Sequence, residues 1–502
     1  MKSPITLAFS ILLTILLSAC GGKDDDKSQA ERAGIGAVAV AAGATPFVAQ
    51  LSHTLHDFAH LDSVHYTIAA RPGAHSRPVS VTYDRAWLGR RAAWDGSSGR
   101  IAFPVFGLYA NHRNELTLTT RFRDGSLHES TLAVVTGAYS GPATLYATPE
   151  VRTARGAASP GFDYMLVKNG LTTPVILDSD GRMRWAGAGA GNSFSSLFGD
   201  DAFYVGDQAA PLLHQVDVDG SVRSSRLDDP RFTNFHHELA RGRTGLLAEL
   251  DAQVGGVRLI ESILAEIDLS GRVLKEWDLG QIFRATMRAG GDNPDNFVRD
   301  GVDWFHMNSA IYDAQDNALL ISSRENFVVK LDYDTGAIRW LLGDTSKHWY
   351  VNYPSLRALA LRVTEGKAPI GQHTLSVAPN RELILFNNGL ASFNQPAGAP
   401  AGQDRSYSTP SRYAIDDKAR TAREVWTWEA NRELLSDICS SAYEGAPGQY
   451  LVAYSSLAAR TQARLVALDS AGQVAFDYAY PSEVCNTVFI AQPFRLDGLR
   501  LR

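Results

Sequence analysis

A handful of side chains in this sequence are of types that together can transfer a charged group. They are His306 in DWFHMNS, Arg324 in SSREN, His373 in GQHTL, and His236 with His237 in NFHHE. Neutral imidazole dominates near pH 7 and offers a lone pair that attacks phosphorus or sulfur. A guanidinium can hold the oxygens of the anionic group, and a second histidine can protonate a leaving oxygen. Histidines also bind zinc or copper, but such sites usually add a carboxylate or an open coordination position. The chain has no HxH or HExxH spacing, so no metal is expected. Asn308 stands two residues after His306, on the same strand face by the period of two, where it can add a hydrogen bond to substrate.

These residues need elements that bring them together. Each lies in a segment of one plan: a polar residue on an opening strand, a turn with Gly, Asn or Asp, then a strongly apolar strand such as GLLAEL, ALLISSR or ELILFNNG. A larger unit recurs around them: an alternating strand, a tight Asp/Gly turn and a second strand that often ends in an aromatic. It is seen in VILDSDGRMRWAG, HQVDVDGSVRSS, LAEIDLSGRVLKEWDL, VVKLDYDTGAIRWLLG and RLVALDSAGQVAFDY, with a weaker copy at residues 411–429. Asp or Asn with Gly supplies the positive φ that tight hairpins require. Repeated small antiparallel units of this kind predict a six-bladed β-propeller over residues 139–502. The opening strand of each blade lines the channel, so the histidines would converge there. The segment 279–304 reads as an insertion with one or two helical turns on a propeller face.

Residues 44–138 alternate without helical periodicity, in segments such as SVHYTIAA and NELTLTTRF, and predict a small N-terminal β-sandwich. The fold class is therefore all-β. A length of 502 residues suits such a two-part chain. A net charge of −6 without clustered Lys or Arg argues against a nucleic-acid partner. Residues 1–19 read as a lipoprotein signal peptide, because a short apolar run ends in LSAC and would leave Cys20 for lipid attachment. Residues 20–43 are polar and predict a flexible tether. The expected place is the periplasm, anchored to an envelope membrane through the lipid. Cys439 and Cys485 are the remaining cysteines and can pair in an oxidising compartment.

The blocks NFHHE, DWFHMNSAIYD, ISSRENFVVKLDYDTGAIRWLLG and GQHTL with LFNNG resemble the bacterial arylsulfate sulfotransferases, over the chain from about residue 46 to its end. The resemblance implies nucleotide-independent, ping-pong movement of a sulfuryl group from an aryl sulfate to a phenol, with no cofactor. It implies His373 as the nucleophile that becomes sulfohistidine, and His306 and Arg324 as ligands of the sulfuryl oxygens. One of His236 and His237 would face the phenolic oxygen; the sequence does not choose between them. The chain has no GxxxxGK[ST] phosphate loop, which suits a reaction without a nucleotide. Some relatives carry a close cysteine pair in the loop before the catalytic histidine, and this chain has none there, which leaves Cys439 and Cys485 as the available pair. Some relatives are dimers, so a homodimer is within expectation. Two other readings stand beside the transferase: an aryl sulfate hydrolase, and a noncatalytic envelope lipoprotein propeller.

Overall fold

The computed structural model describes residues 27–502 apart from Ala190 and Asp200, so the expected signal peptide and Cys20 lie outside the described residues. The N-terminal part contains two sheets. One orders the strands Ala39–Ala42, Val48–Thr54, Arg100–Phe106 and Trp94–Asp95; the other orders Asp497–Leu501, Val79–Asp84, Leu61–Ile68, His112–Phe122 and Leu127–Thr136. Alternation drives this packing. In Val79–Asp84 the residues Val79, Val81 and Tyr83 are buried while Ser80, Thr82 and Asp84 are half-open, and the buried set joins Leu51, Phe103 and Leu118 in one core.

The expected tether is shorter than residues 20–43. Gln29–Arg32 forms a helical turn closed by a capping box between Ser28 and Glu31. Ala39–Ala42 pairs with Val48–Thr54 as an edge strand. The sequence hides both, because a single helical turn and a fully exposed edge strand carry no apolar period.

From Glu150 to Phe494 the chain builds six sheets of four or five strands in a β-propeller, antiparallel except where Arg362–Glu365 runs parallel to Thr421–Thr427. The innermost strands are, in chain order, Ser196–Phe198, Phe232–Arg241, Met307–Asp313, His373–Val377, Ser441–Ala446 and Ile490–Phe494, and each packs against the next. Ile490–Phe494 completes the sheet begun by Tyr164–Lys168, so the last strand closes the ring onto the first. The hairpin turns use Asp and Gly as their sequence suggested. At Gly271 φ is +90°, and a Cβ there would lie 2.7 Å from the Arg226 carbonyl oxygen, so only glycine fits without strain. The insertion after residue 279 is an eleven-residue helix, Leu279–Ala289, longer than expected. Its Phe283 and Met287 pack under Trp304, Phe305 and Phe327, which support the strand that carries His306.

Candidate active site

Three adjacent innermost strands break register at the same depth. The pairing shifts between Phe235 and Leu239, between Met307 and Ser309, and between His373 and Leu375. Within two of these bulges His237 and Thr374, and just before the third His306, take left-handed backbone, with φ of 42°, 48° and 50°. In a regular strand neighbouring side chains point to opposite faces. A bulge re-aims them, which is how the consecutive His236 and His237 both come to line one cavity. That cavity, of about 370 Å³, is also lined by His306, Arg324, His373, Glu261, Phe194, Phe489 and the Cys439–Cys485 disulfide.

His373 is 2% exposed. Its Nδ1 lies 2.8 Å from Asn388 Oδ1 and 3.1 Å from the Gly371 carbonyl oxygen. The Asn388 amide is itself oriented: its Nδ2 donates to the Ser436 and Cys439 carbonyls at 2.7 and 2.9 Å. Asn388 Oδ1 must therefore accept, and His373 carries its proton on Nδ1. The lone pair is left on Nε2. Burial, with the positive His306 and Arg324 nearby, pushes the His373 pKa down to about 3, so the ring is neutral at physiological pH.

His306 is the opposite case. Burial alone would lower its pKa, but Glu261 and Asp303 outweigh it and hold the value up at about 9. Its Nδ1 lies 2.6 Å from Glu261 Oε2 and 2.7 Å from Asp303 Oδ2. Two histidines of one cavity thus sit in opposite charge states, which divides roles between them. Arg324 is held by Glu325, whose Oε1 accepts from Nη2 at 2.7 Å, and its guanidinium lies 4.6 Å from the centre of the Phe393 ring. The buried Lys347 fixes the same turn by donating to the Arg324 and Glu325 carbonyls.

His237 packs edge-on against His306, with ring centres 4.7 Å apart, and 5.9 Å from the ring of Phe489. Burial, then the charge of His306 and, more weakly, of Arg324, hold its pKa well below the ordinary value. His236 lies behind it, toward Glu249. Phe489 stacks on Phe194 at 4.3 Å, so the wall nearest His237 is aromatic.

Residues 125–489 match the arylsulfotransferase (ASST) family. This chain belongs to the arylsulfotransferase family. Its relatives include the arylsulfate sulfotransferase AssT of Lelliottia amnigena, 23% identical with 85% of each chain covered. The arylsulfate sulfotransferase AssT of Escherichia coli O6:H1 (strain CFT073) is 28% identical over 35% of this chain and 36% of its own length. Solved structures align loosely. They include the propeller domain of Cps50 (Swd1) from Myceliophteria thermophila, with 13% identity, 64% and 84% coverage and a TM-score of 0.34. Another is BamB from Moraxella catarrhalis, with 10% identity, 72% and 81% coverage and a TM-score of 0.26.

In this family member the histidines and the arginine singled out from sequence all line the one cavity. Asn308 does not. Its Nδ2 donates to the Gln372 carbonyl at 2.9 Å, so it joins the strand of His306 to the strand of His373 instead of facing substrate. The bulge at Met307–Ser309 is the reason, because it breaks the period of two that placed Asn308 beside His306. Sequence reasoning missed Asn388, Glu261, Asp303 and Glu325. Asp303 and Glu325 were within reach as charged residues three before His306 and directly after Arg324. Glu261 sits on a third strand, Val257–Ile267, and nothing local points to it.

Proposed function

We propose that the cavity moves a sulfuryl group from an aryl sulfate ester to a phenol, in two steps through a sulfohistidine on His373 Nε2. The observation that carries this reading is His373 itself: neutral, with Nδ1 committed to Asn388 and Gly371, which leaves Nε2 free, in a cavity it shares with a protonated histidine and an arginine. In the first step the Nε2 lone pair forms the N–S bond, and the aryl oxygen leaves with the electrons of the S–O bond. His306 and Arg324 hold the sulfuryl oxygens, where preorganised cationic donors lower the barrier by several kcal/mol. The sulfurylated ring gains positive character, and its Nδ1–H then strengthens its bonds to two neutral oxygens. In the second step a phenol oxygen attacks the same sulfur, the N–S bond breaks and its electrons return to Nε2. His237, neutral and next to the aromatic wall, takes the phenol proton.

The test is mass spectrometry of the purified protein after brief exposure to a chromogenic aryl sulfate. A gain of about 80 Da on His373, removed by added phenol and lost in His373→Ala, is expected of covalent catalysis. No adduct in the wild type, together with product release that phenol does not accelerate, would sink the proposal and favour hydrolysis or simple binding.

We further propose an exported, lipid-anchored protein. The signal-like run and Cys20 support this, as does the Cys439–Cys485 bridge, because such bonds persist in oxidising compartments. Mass spectrometry of the mature N-terminus checks it: an unmodified or uncleaved N-terminus rejects the anchor.

A further inference from the structure

Behind the histidine pair, outside the cavity lining, stands a carboxylate that sulfuryl transfer does not use, Glu249. It comes from Leu246–Val254, the strand next to the bulge, and is 1% exposed. Its Oε2 accepts a long 3.4 Å bond from the Glu238 N–H, while its Oε1, also buried, has no hydrogen-bond partner among the described residues. A buried carboxylate oxygen without a partner is costly unless something else binds there.

The ring nitrogens in front of it point the same way. His236 Nδ1 and His237 Nδ1 face each other at 3.2 Å, and His236 Nδ1 is 3.7 Å from Glu249 Oε2. Two facing ring nitrogens can share only one proton, whereas a cation between them can accept both lone pairs. Two donors each about 2.1 Å from one tetrahedral ion lie about 3.4 Å apart, between the two observed separations. The three donor atoms all fall within 4.8 Å of one another. His237, Glu261 and His306 are also close enough together, but His306 Nδ1 and Glu261 Oε2 stand only 2.6 Å apart, an ion-pair distance too short for two ligands of one ion.

We propose that His236, His237 and Glu249 form a binding site for one borderline divalent cation, best suited to Zn²⁺. Two imidazoles and one carboxylate are a common zinc donor set, and the fourth position opens to the cavity that both histidines line. The carboxylate that local spacing did not reveal is supplied by the adjacent strand. Bound zinc would keep His237 from taking a proton, so it inhibits turnover; that consequence rests on the proposed function, while the site itself does not.

The experiment reads binding, not turnover. Zn²⁺ is titrated into the purified wild-type protein and into Glu249→Gln and His236→Asn against a chromophoric chelator, with circular dichroism to confirm folding. One equivalent is expected in the wild type, with affinity weakened roughly tenfold or more in each variant. Co²⁺ added to the wild type should give the intense visible band of a tetrahedral ion, a readout that needs no substitution. No stoichiometric binding, equal affinity in folded variants, or an octahedral cobalt spectrum would each overturn the proposal.

Discussion

At the scale of single residues, the reactivity of His373 depends on which ring nitrogen carries the proton, and Asn388 decides that. Asn388→Ala should lower kcat by about 10²-fold with little change in KM, because the ring loses its tautomer and orientation but the cavity keeps its cations. Equal losses in every variant of the wall, including Phe194→Leu, would show that Asn388 acts only through packing. Asn388→Asp should move the acid limb of the rate profile to higher pH, since a carboxylate favours the protonated ring. In the wild type that limb belongs near the low His373 value of about 3, and the alkaline limb near pH 9, where His306 loses its proton. Glu261→Gln removes one of the carboxylates that raise His306, so the alkaline limb should shift to lower pH; an unmoved limb in kcat/KM would remove His306 from its role. The same shift links to stability. Because the folded-state pKa of His306 lies above its ordinary 6.5, its contribution is complete below about pH 6.5 and is lost as pH rises through about 9. The histidines and Arg324 were legible in the sequence because polar residues interrupt apolar strands. Asn388, also in plain view in LFNNG, was not, because its partner lies 15 positions away across a strand pair.

At the scale of elements, the site is made by bulges and by ties between neighbouring innermost strands. Ser309 Oγ donates to Glu238 Oε2 at 2.7 Å and accepts from the Leu375 N–H at 2.9 Å. Glu238 pairs in turn with the buried Lys168 at 3.2 Å. One hydroxyl therefore joins three of the innermost strands just below the cavity. Ser309→Ala should leave a buried N–H and a carboxylate oxygen short of a partner, costing about 1–3 kcal/mol. A melting curve like that of the wild type would contradict this. The disulfide is the second such device. It links residues 46 positions apart, worth about 2–4 kcal/mol in chain-entropy terms, and the Cys439 carbonyl anchors Asn388. Reduction should thus lower both the melting temperature and kcat, the second through His373; full activity in the reduced, folded protein would separate the bridge from the nucleophile. The strands and hairpin turns were readable from alternation and Asp/Gly pairs. The bulges were not, because an extra residue changes the direction of side chains without changing which residue types are apolar.

At the scale of the whole molecule, the two parts do not pack as independent units. After completing the ring, the chain continues into Asp497–Leu501, which runs parallel to Val79–Asp84 in the N-terminal sheet. Sequence could not reveal this return, since a five-residue strand has no repeat to mark its partner. The core of the N-terminal sheets also continues into the propeller through Tyr164, Ile176, Trp185 and Phe203. Within that junction Arg184 is fully buried. It donates from Nη2 to the Gly107 carbonyl at 2.7 Å, pairs with the equally buried Asp178 at 3.3 Å, and lies 3.7 Å from the centre of the Tyr109 ring. Burial pushes Asp178 up to about 6 even with Arg184 beside it. Removing the arginine alone therefore leaves a carboxyl with no compensating charge. Arg184→Met should cost about 3–5 kcal/mol, and adding Asp178→Asn should restore part of it, because the uncompensated charge and not the lost pair carries most of the penalty. With a shared core, calorimetry should show one unfolding transition that moves down as a unit in Arg184→Met. Two transitions, with only the earlier one displaced, would mean that the N-terminal sheets fold apart from the propeller and that Arg184 serves one side of the junction alone.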